Sequence, residues 1–502
     1  MKTQTIKIFF LSIVASLTTG ITVAQNKGIE NPFMDRDYWA TKPSIADIDA
    51  KIAQGYSITQ ANRGGFDPTT FAIFSENPTT TIEHLIAQGN DVNKRTHDSR
   101  TYIFWAASRG NLEIMELLVE KGARTDLKDS HGYTLAQFTA ASGQDNPKVY
   151  DFLIKNGADL KNEKDHDGRN ILLVAAPRIK NLDLIDYFVS KGLDVNATDT
   201  HGNGIFSYAA QGGNIDVLTA LVARGVSTKE NPATKENAIL FASRGGRGSS
   251  NGIQVFKYLE GLGINPNVTS AQGITPLHNV ARSSENLEIY DYFINKGVDP
   301  NAIDNNGNTA VLNAASRNKL GVLKYLVEKS DDINHVNQDG LSVLSIAIQN
   351  NSGEVVSYVL SKGANAELVD KKGNSLVYYL LDTRGLPRDF ENKVAALKEK
   401  GLDFTSVQQE NKNIWHLAVQ KNNLALLKTV QGLGADINSK DSQGNTPLHY
   451  AALQTDNVDL LKYLLSNGAD ISLTTEFGET PFDLASENEL LVKKDADLTF
   501  LK

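Results

Sequence analysis

The chain has 502 residues, 40% of them hydrophobic and 22% charged, ordinary proportions for globular material. A net charge of −9 argues against general nucleic-acid binding, which needs many cations to displace condensed counterions, and against docking on an anionic membrane surface. Because there is no cysteine, disulfides, thiolate chemistry, cysteine-ligated zinc and a lipidated cysteine are all excluded.

Residues 1–24 read as a secretory signal. Lys2 and Lys7 form a basic start, Ile8 to Ile21 is an apolar run softened by Ser and Thr, and Thr22-Val23-Ala24 offers small residues for cleavage. The run is short and dilute for a membrane span, so cleavage before Gln25 is expected. Losing Lys2 and Lys7 and no acid takes the net charge from −9 to −11. The expected destination is the periplasm; the same signal would also serve release from the cell.

From Gly55 onward a marker returns: Gly, a small or apolar residue, often Asp, then an apolar residue and Asn, as in Gly192-Leu-Asp-Val-Asn and Gly434-Ala-Asp-Ile-Asn. Its glycines are Gly55, Gly89, Gly122, Gly157, Gly192, Gly225, Gly263, Gly297, Gly363, Gly401, Gly434 and Gly468, with Ser330 standing in once. The spacing stays between 33 and 38 residues, the mark of a stack of units too small to bury their own apolar faces.

Upstream of each marker lies an apolar pattern such as Leu112, Ile114, Met115, Leu117, Leu118 and Val119. It is too wide for a one-sided helix and fits one covered on both flanks. The marker Gly then ends that helix in a left-handed conformation. A preceding helix starts at Thr-Pro in Thr275-Pro276-Leu277-His278, Thr446-Pro447-Leu448-His449 and Thr480-Pro481-Phe482. There Thr caps free N–H groups and Pro occupies the first helical position. Turn residues such as Asp304-Asn305-Asn306-Gly307 join one unit to the next in a projecting loop.

Thr-Pro-Leu-His, a following Ala and the Gly-Ala-Asp marker together resemble the ankyrin repeat family, over residues 65 to 502 and about thirteen units. The fold expected is an all-α solenoid of helix-turn-helix units. Residues 25–64 form a divergent N-terminal capping helix pair, 65–476 the stack and 477–502 a C-terminal capping repeat. Thr-Pro is lost in most units, and Thr234 to Asn237 replaces the usual Gly-bearing turn. Extra residues separate the two helices at 142–148, 245–252 and 383–392, surface loops read as tolerated drift with contact sites as the alternative.

No nucleophile elbow, phosphate loop or His-Glu-x-x-His pattern is present, so no catalytic residue, cofactor or metal is assigned; an unrecognised groove enzyme is the least favoured reading. Gly245-Gly246-Arg247-Gly248 has neither the strand before it nor the Lys after it that a phosphate site needs. Glu163, Asp165 and Asp167 mimic the start of a calcium loop, but its twelfth position is Val174, so the segment reads as a turn. His131, His166 and His201 recur at 35-residue intervals on successive loops, too far apart to share one ion. The resemblance implies a structural hydrogen bond for His278, His416 and His449.

Aligning units on the Thr-Pro start places Arg109, Arg178, Arg244, Arg282, Arg317 and Lys421 at the last one or two positions of the first helix. Cations there stabilise a helix dipole. In the ankyrin family the same end borders the concave binding surface, so this row is the candidate partner-binding site. The function expected is an exported protein-interaction scaffold for a partner with acidic groups. A secreted effector using the same surface on a foreign cell is the alternative.

Overall fold

A computed structural model describes residues 31–246, 250–317, 319–383 and 385–502; the expected secretory segment and Arg247-Gly248 lie outside these. The described residues form twenty-eight α-helices in fourteen consecutive pairs, with short 3-10 turns and no strand beyond isolated bridges such as Val336 with Ser342. None of the helices is long and apolar enough to cross a membrane.

The marker has a physical explanation residue by residue. All twelve marker glycines take positive φ, between 75° and 101°. Ser330 does not share that conformation and ends its helix without it. The marker Asp accepts the backbone N–H two residues on, as Asp436 does from Asn438 at 2.9 Å. The marker Asn ties units together. Asn438 donates through Nδ2 to Gly468 O (2.9 Å) and accepts Asp470 N (2.8 Å). Asn93 does the same with Gly122 and Arg124, and Asn301 with Lys329 and Asp331.

The wide apolar pattern sorts as a flanked helix should. In Leu112–Glu120, Ile114, Met115 and Leu118 are buried while Leu112, Leu117 and Val119 are half-buried. First helices are enclosed more completely; in Ile171–Ala175 every residue is buried.

The chain divides into two compact units, one ending at His166 and one running from Asp167 to Lys502. In the first, Arg36–Ala40 and Ile45–Ala53 form the divergent pair, and the former packs on Pro68–Phe74. Trp39 is fully buried and its Nε1–H donates to Phe33 O at 2.8 Å. Asp67 caps Pro68–Phe74, with Tyr102 Oη–H donating to it at 2.6 Å and Lys94 Nζ at 2.9 Å. Glu163 is committed to the turn, accepting from Thr134 Oγ1 and Asp159 N.

In the second unit Thr275 and Thr446 cap their helices with a reciprocal box completed by His278 and His449. The last pair, Pro481–Glu487 and Glu489–Val492, is short, and a closing 3-10 turn buries Leu501.

Several expected boundaries shift. The inter-helix loops end at Asn146 and Asp389, because helices begin at Pro147 and Phe390, each a little earlier than the spacing implied. The Thr234–Asn237 turn closes without Gly by placing Lys235 at φ 55°, and Asp98-Ser99 and Glu410-Asn411 do likewise.

Candidate functional site

Most inter-unit loops among the described residues are held by their first polar residue; Thr96 and Gln408 do not hold theirs in this way. Asp304 Oδ1 accepts the N–H groups of Asn306 and Asn308, both at 2.8 Å. Asn337, Asp370 and Asp441 repeat this on their own loops. Loop tips then bond to one another through the backbone. Asn305 N donates to Gln272 O (2.8 Å), Gln338 N to Asn306 O (2.9 Å), Lys371 N to Asp339 O (3.0 Å) and Ser442 N to Glu410 O (2.8 Å). The loops of the second unit therefore form a laddered face rather than separate mobile tips.

Tyrosines from the first helices brace the ladder. Tyr379 Oη–H donates to Asp370 at 2.5 Å and Tyr450 to Asp441 at 2.7 Å. Burial pushes both carboxyls up, but these bonds and the backbone donors outweigh it and hold both below the ordinary carboxylate range. Burial and the carboxylate partner push the tyrosines up.

His278, His416 and His449 join each first helix to the next loop. Nδ1 lies 2.8 Å from the side-chain oxygen of Thr275, Asn413 or Thr446. Nε2 reaches Asn308 O (3.0 Å), Asn445 O (3.0 Å) or Glu479 O (3.2 Å). Burial lowers all three pKa values below 6.5, which suits neutral structural links. His131 faces Asp98 across 3.3 Å, and His166 sits against Gly132, both within the first unit. Among the described residues no three metal-ligating side chains gather.

The expected cation row is heterogeneous. Arg109, Arg244 and Arg317 end their helices, Arg178 closes a 3-10 turn, and Arg282 and Lys421 stand two residues past helix ends at Val280 and Val419. Arg244 pairs with Glu236 and lies 4.4 Å from the Phe241 ring centre. Arg282 Nη2 donates to Asn313 Oδ1 at 3.1 Å, and Lys421 Nζ to Thr383 O at 2.6 Å. Burial lowers the Lys421 pKa, opposed by Asp382. These three cations serve the fold first. Arg178 and Arg317 are exposed; Arg109, also exposed, places Cζ 5.3 Å from the Phe74 ring centre in the first unit.

A second row escaped the sequence reading. The residue before the loop Asp, Asn or Gln is Ile303, Val336, Val369 and Val407 in four successive loops, exposed by 53%, 38%, 54% and 49%. Corresponding positions elsewhere are polar, as Lys128, Thr198 and Lys440. Aligning loops on that polar residue would have shown the row. Elsewhere, near the loop before Phe390, Leu386, Pro387, Phe390, Asn423 and Leu426 line a cleft of about 430 Å³.

Family comparison matches this arrangement. The description "Ankyrin repeats (3 copies)" matches residues 70–164, 138–232, 239–337 and 312–408, and "Ankyrin repeats (many copies)" matches 430–485. A potassium channel AKT1 from Oryza sativa, in both the indica and japonica subspecies, is 34% identical over 71 residues, 14% of this chain and 8% of the channel. The chain thus spans under a tenth of the length of these relatives. The human ASB11 ankyrin repeat domain is 23% identical, with 45% of this chain and 99% of that domain covered at a TM-score of 0.38. With family matches over most of its length and helix pairs throughout the described residues, the chain belongs to the ankyrin repeat family.

Proposed function

We propose that the chain is an exported, non-catalytic scaffold that holds a partner protein on the face made by its first helices and laddered loops. Ankyrin repeats are generally protein-interaction modules, which supports the class of function. The observation that carries the reading is the row Ile303, Val336, Val369 and Val407: solvent-exposed, β-branched, and fixed at one register on rigidly linked loops. Aligned apolar side chains on a preorganised frame suit a macromolecular interface, where they are covered without an ordering cost. The exposed Arg178 and Arg317 on the same unit add a cationic component for an acidic partner. Export rests on residues 1–24, and the periplasm is the proposed location.

The test replaces all four row residues with Thr, which keeps the β-branch and removes the apolar tip. Partner capture from the native envelope fraction should fall at least about tenfold, a loss of about 1.4 kcal/mol, with unchanged far-UV circular dichroism. Equal capture by the two proteins would move the interface off the loops.

A further inference from the structure

Within the first unit, aromatic side chains line up along successive first helices. Phe71, Trp105 and Phe138 occupy one register of Pro68–Phe74, Tyr102–Arg109 and Leu135–Ala141, four residues past each cap. Trp105 meets Phe138 edge-on at 5.4 Å and Phe74 edge-on at 5.2 Å, and Phe66 lies 5.7 Å from Trp105 and 5.9 Å from Phe74. Phe66 and Phe74 are only half-buried, so the wall reaches the surface.

Two guanidinium groups attend that exposed edge. Arg36, from the divergent pair, places Cζ 5.6 Å from the Phe74 centre and 5.4 Å from that of Phe71; Arg109 places Cζ 5.3 Å from Phe74. Both arginines are exposed, and neither makes an ion pair within the described residues. Nearby cations of the same unit are engaged: Arg100 with Asp98 and Asp129, Lys94 with Asp67, Lys121 with Glu83. A guanidinium drawn to a ring by cation–π attraction is restrained in place while its N–H groups remain able to pair bidentately with a carboxylate at small entropic cost.

We infer that Arg36, Phe74 and Arg109 form a docking point for an extended peptide segment carrying two carboxylates separated by one residue. This rests on the protein-binding reading above and specifies partner chemistry for the first unit. The two Cζ atoms can be no further apart than the sum of their distances to the shared Phe74 centre. In an extended strand, side chains at i and i+2 lie on one face about 7 Å apart, within that limit. Each carboxylate meets one guanidinium while the aliphatic stems and the backbone cover Phe74 and Phe66. A nucleic-acid strand could also stack on such a wall, but the net charge of −9 disfavours a polyanion.

The probe is a fluorescein-labelled Gly/Ser peptide with a central Glu-Leu-Glu, titrated with the mature chain and followed by anisotropy against a Gln-Leu-Gln control and oligothymidylate. The acidic peptide should bind at least about tenfold tighter than the control and weaken with salt. R36Q/R109Q should lose at least about tenfold with an unchanged melting curve, whereas R36K/R109K should recover only part of the loss, since Lys lacks the fork. The I303T/V336T/V369T/V407T variant should bind the peptide like wild type. Equal binding of the two peptides, no binding at millimolar concentration, full binding by R36Q/R109Q, or preference for oligothymidylate would each overturn the inference. If the peptide fails while the Thr variant still loses its partner, the docking point falls and the scaffold reading stands.

Discussion

The laddered loops make a sharp prediction about two glycines that look alike in sequence. Gly340 (φ 81°) sits at a loop tip and Gly363 (φ 88°) at a helix end. At Gly363 an added Cβ meets nothing within 4 Å, so G363A incurs only the left-handed backbone cost, roughly 1–2 kcal/mol, partly offset by about 0.4–1 kcal/mol from a stiffer unfolded chain. At Gly340 the same Cβ would lie 2.9 Å from both Asp370 Cα and Lys371 N, backbone atoms that move only if the loops separate. That separation sacrifices the Lys371 N–H bond to Asp339 O, adding about 1 kcal/mol or more, with the steric strain on top. G340A should therefore cost about 2–4 kcal/mol, and G363A about 1 kcal/mol. Urea unfolding measures the totals, and hydrogen exchange at Lys371 reports the broken rung locally. Equal losses in the two variants, or undiminished protection at Lys371 in G340A, would refute the claim that neighbouring loops hold each other in place.

Three further outcomes follow from buried or terminal groups. His278, His416 and His449 have folded pKa values below 6.5, so their contribution is full above about pH 6.5 and is lost as pH falls through the lowered values, because the unfolded chain then binds more protons. Urea midpoints should drop between pH 7 and pH 5, and H278N/H416N/H449N should flatten that slope; an unchanged slope would contradict it. Lys393 is 2% exposed, donates to Ile348 O at 2.8 Å, and is lowered by burial from 10.5 to about 8, opposed by Asp389. Stability should thus rise with pH between about 8 and 10.5. K393M should abolish that rise and stabilise the chain at pH 7 by about 1–2 kcal/mol, part of the roughly 3 kcal/mol implied being spent on the orphaned carbonyl; a destabilised K393M would contradict it. Residues 477–502 are proposed as the C-terminal cap, so their deletion should uncover Pro447–Gln454, on which Pro481–Glu487 packs, and lower solubility, with fraying from that end. A truncated chain that melts like the full one would remove the capping role.

Much of the fold was legible because its devices are local in sequence. The marker glycines, the Thr-Pro caps and the histidines three residues later act on backbone groups within a turn, so spacing alone reveals them. The inter-unit role of the marker Asn is also periodic, since Asn438 reaches a carbonyl thirty residues on. Partnering of long side chains was not legible. Nothing in the helix alignment shows that Arg244 turns back to Glu236 or that Lys421 reaches Thr383, because a long cation selects among many acceptors near a helix end. The aromatic wall was hidden for a related reason: Phe66 and Phe74 sit outside the repeated register, and only the fold brings Arg36 to Phe74.

The most direct measurement is photo-crosslinking in the native cell, with a benzophenone amino acid placed at Val369 or Arg317 on the loop and first-helix face, and at Glu354 or Lys324 on exposed positions of second helices. A protein partner held as proposed gives a discrete adduct from Val369 and Arg317 and none from Glu354 and Lys324. Adducts confined to Glu354 and Lys324 would contradict the account and place the partner on the second helices.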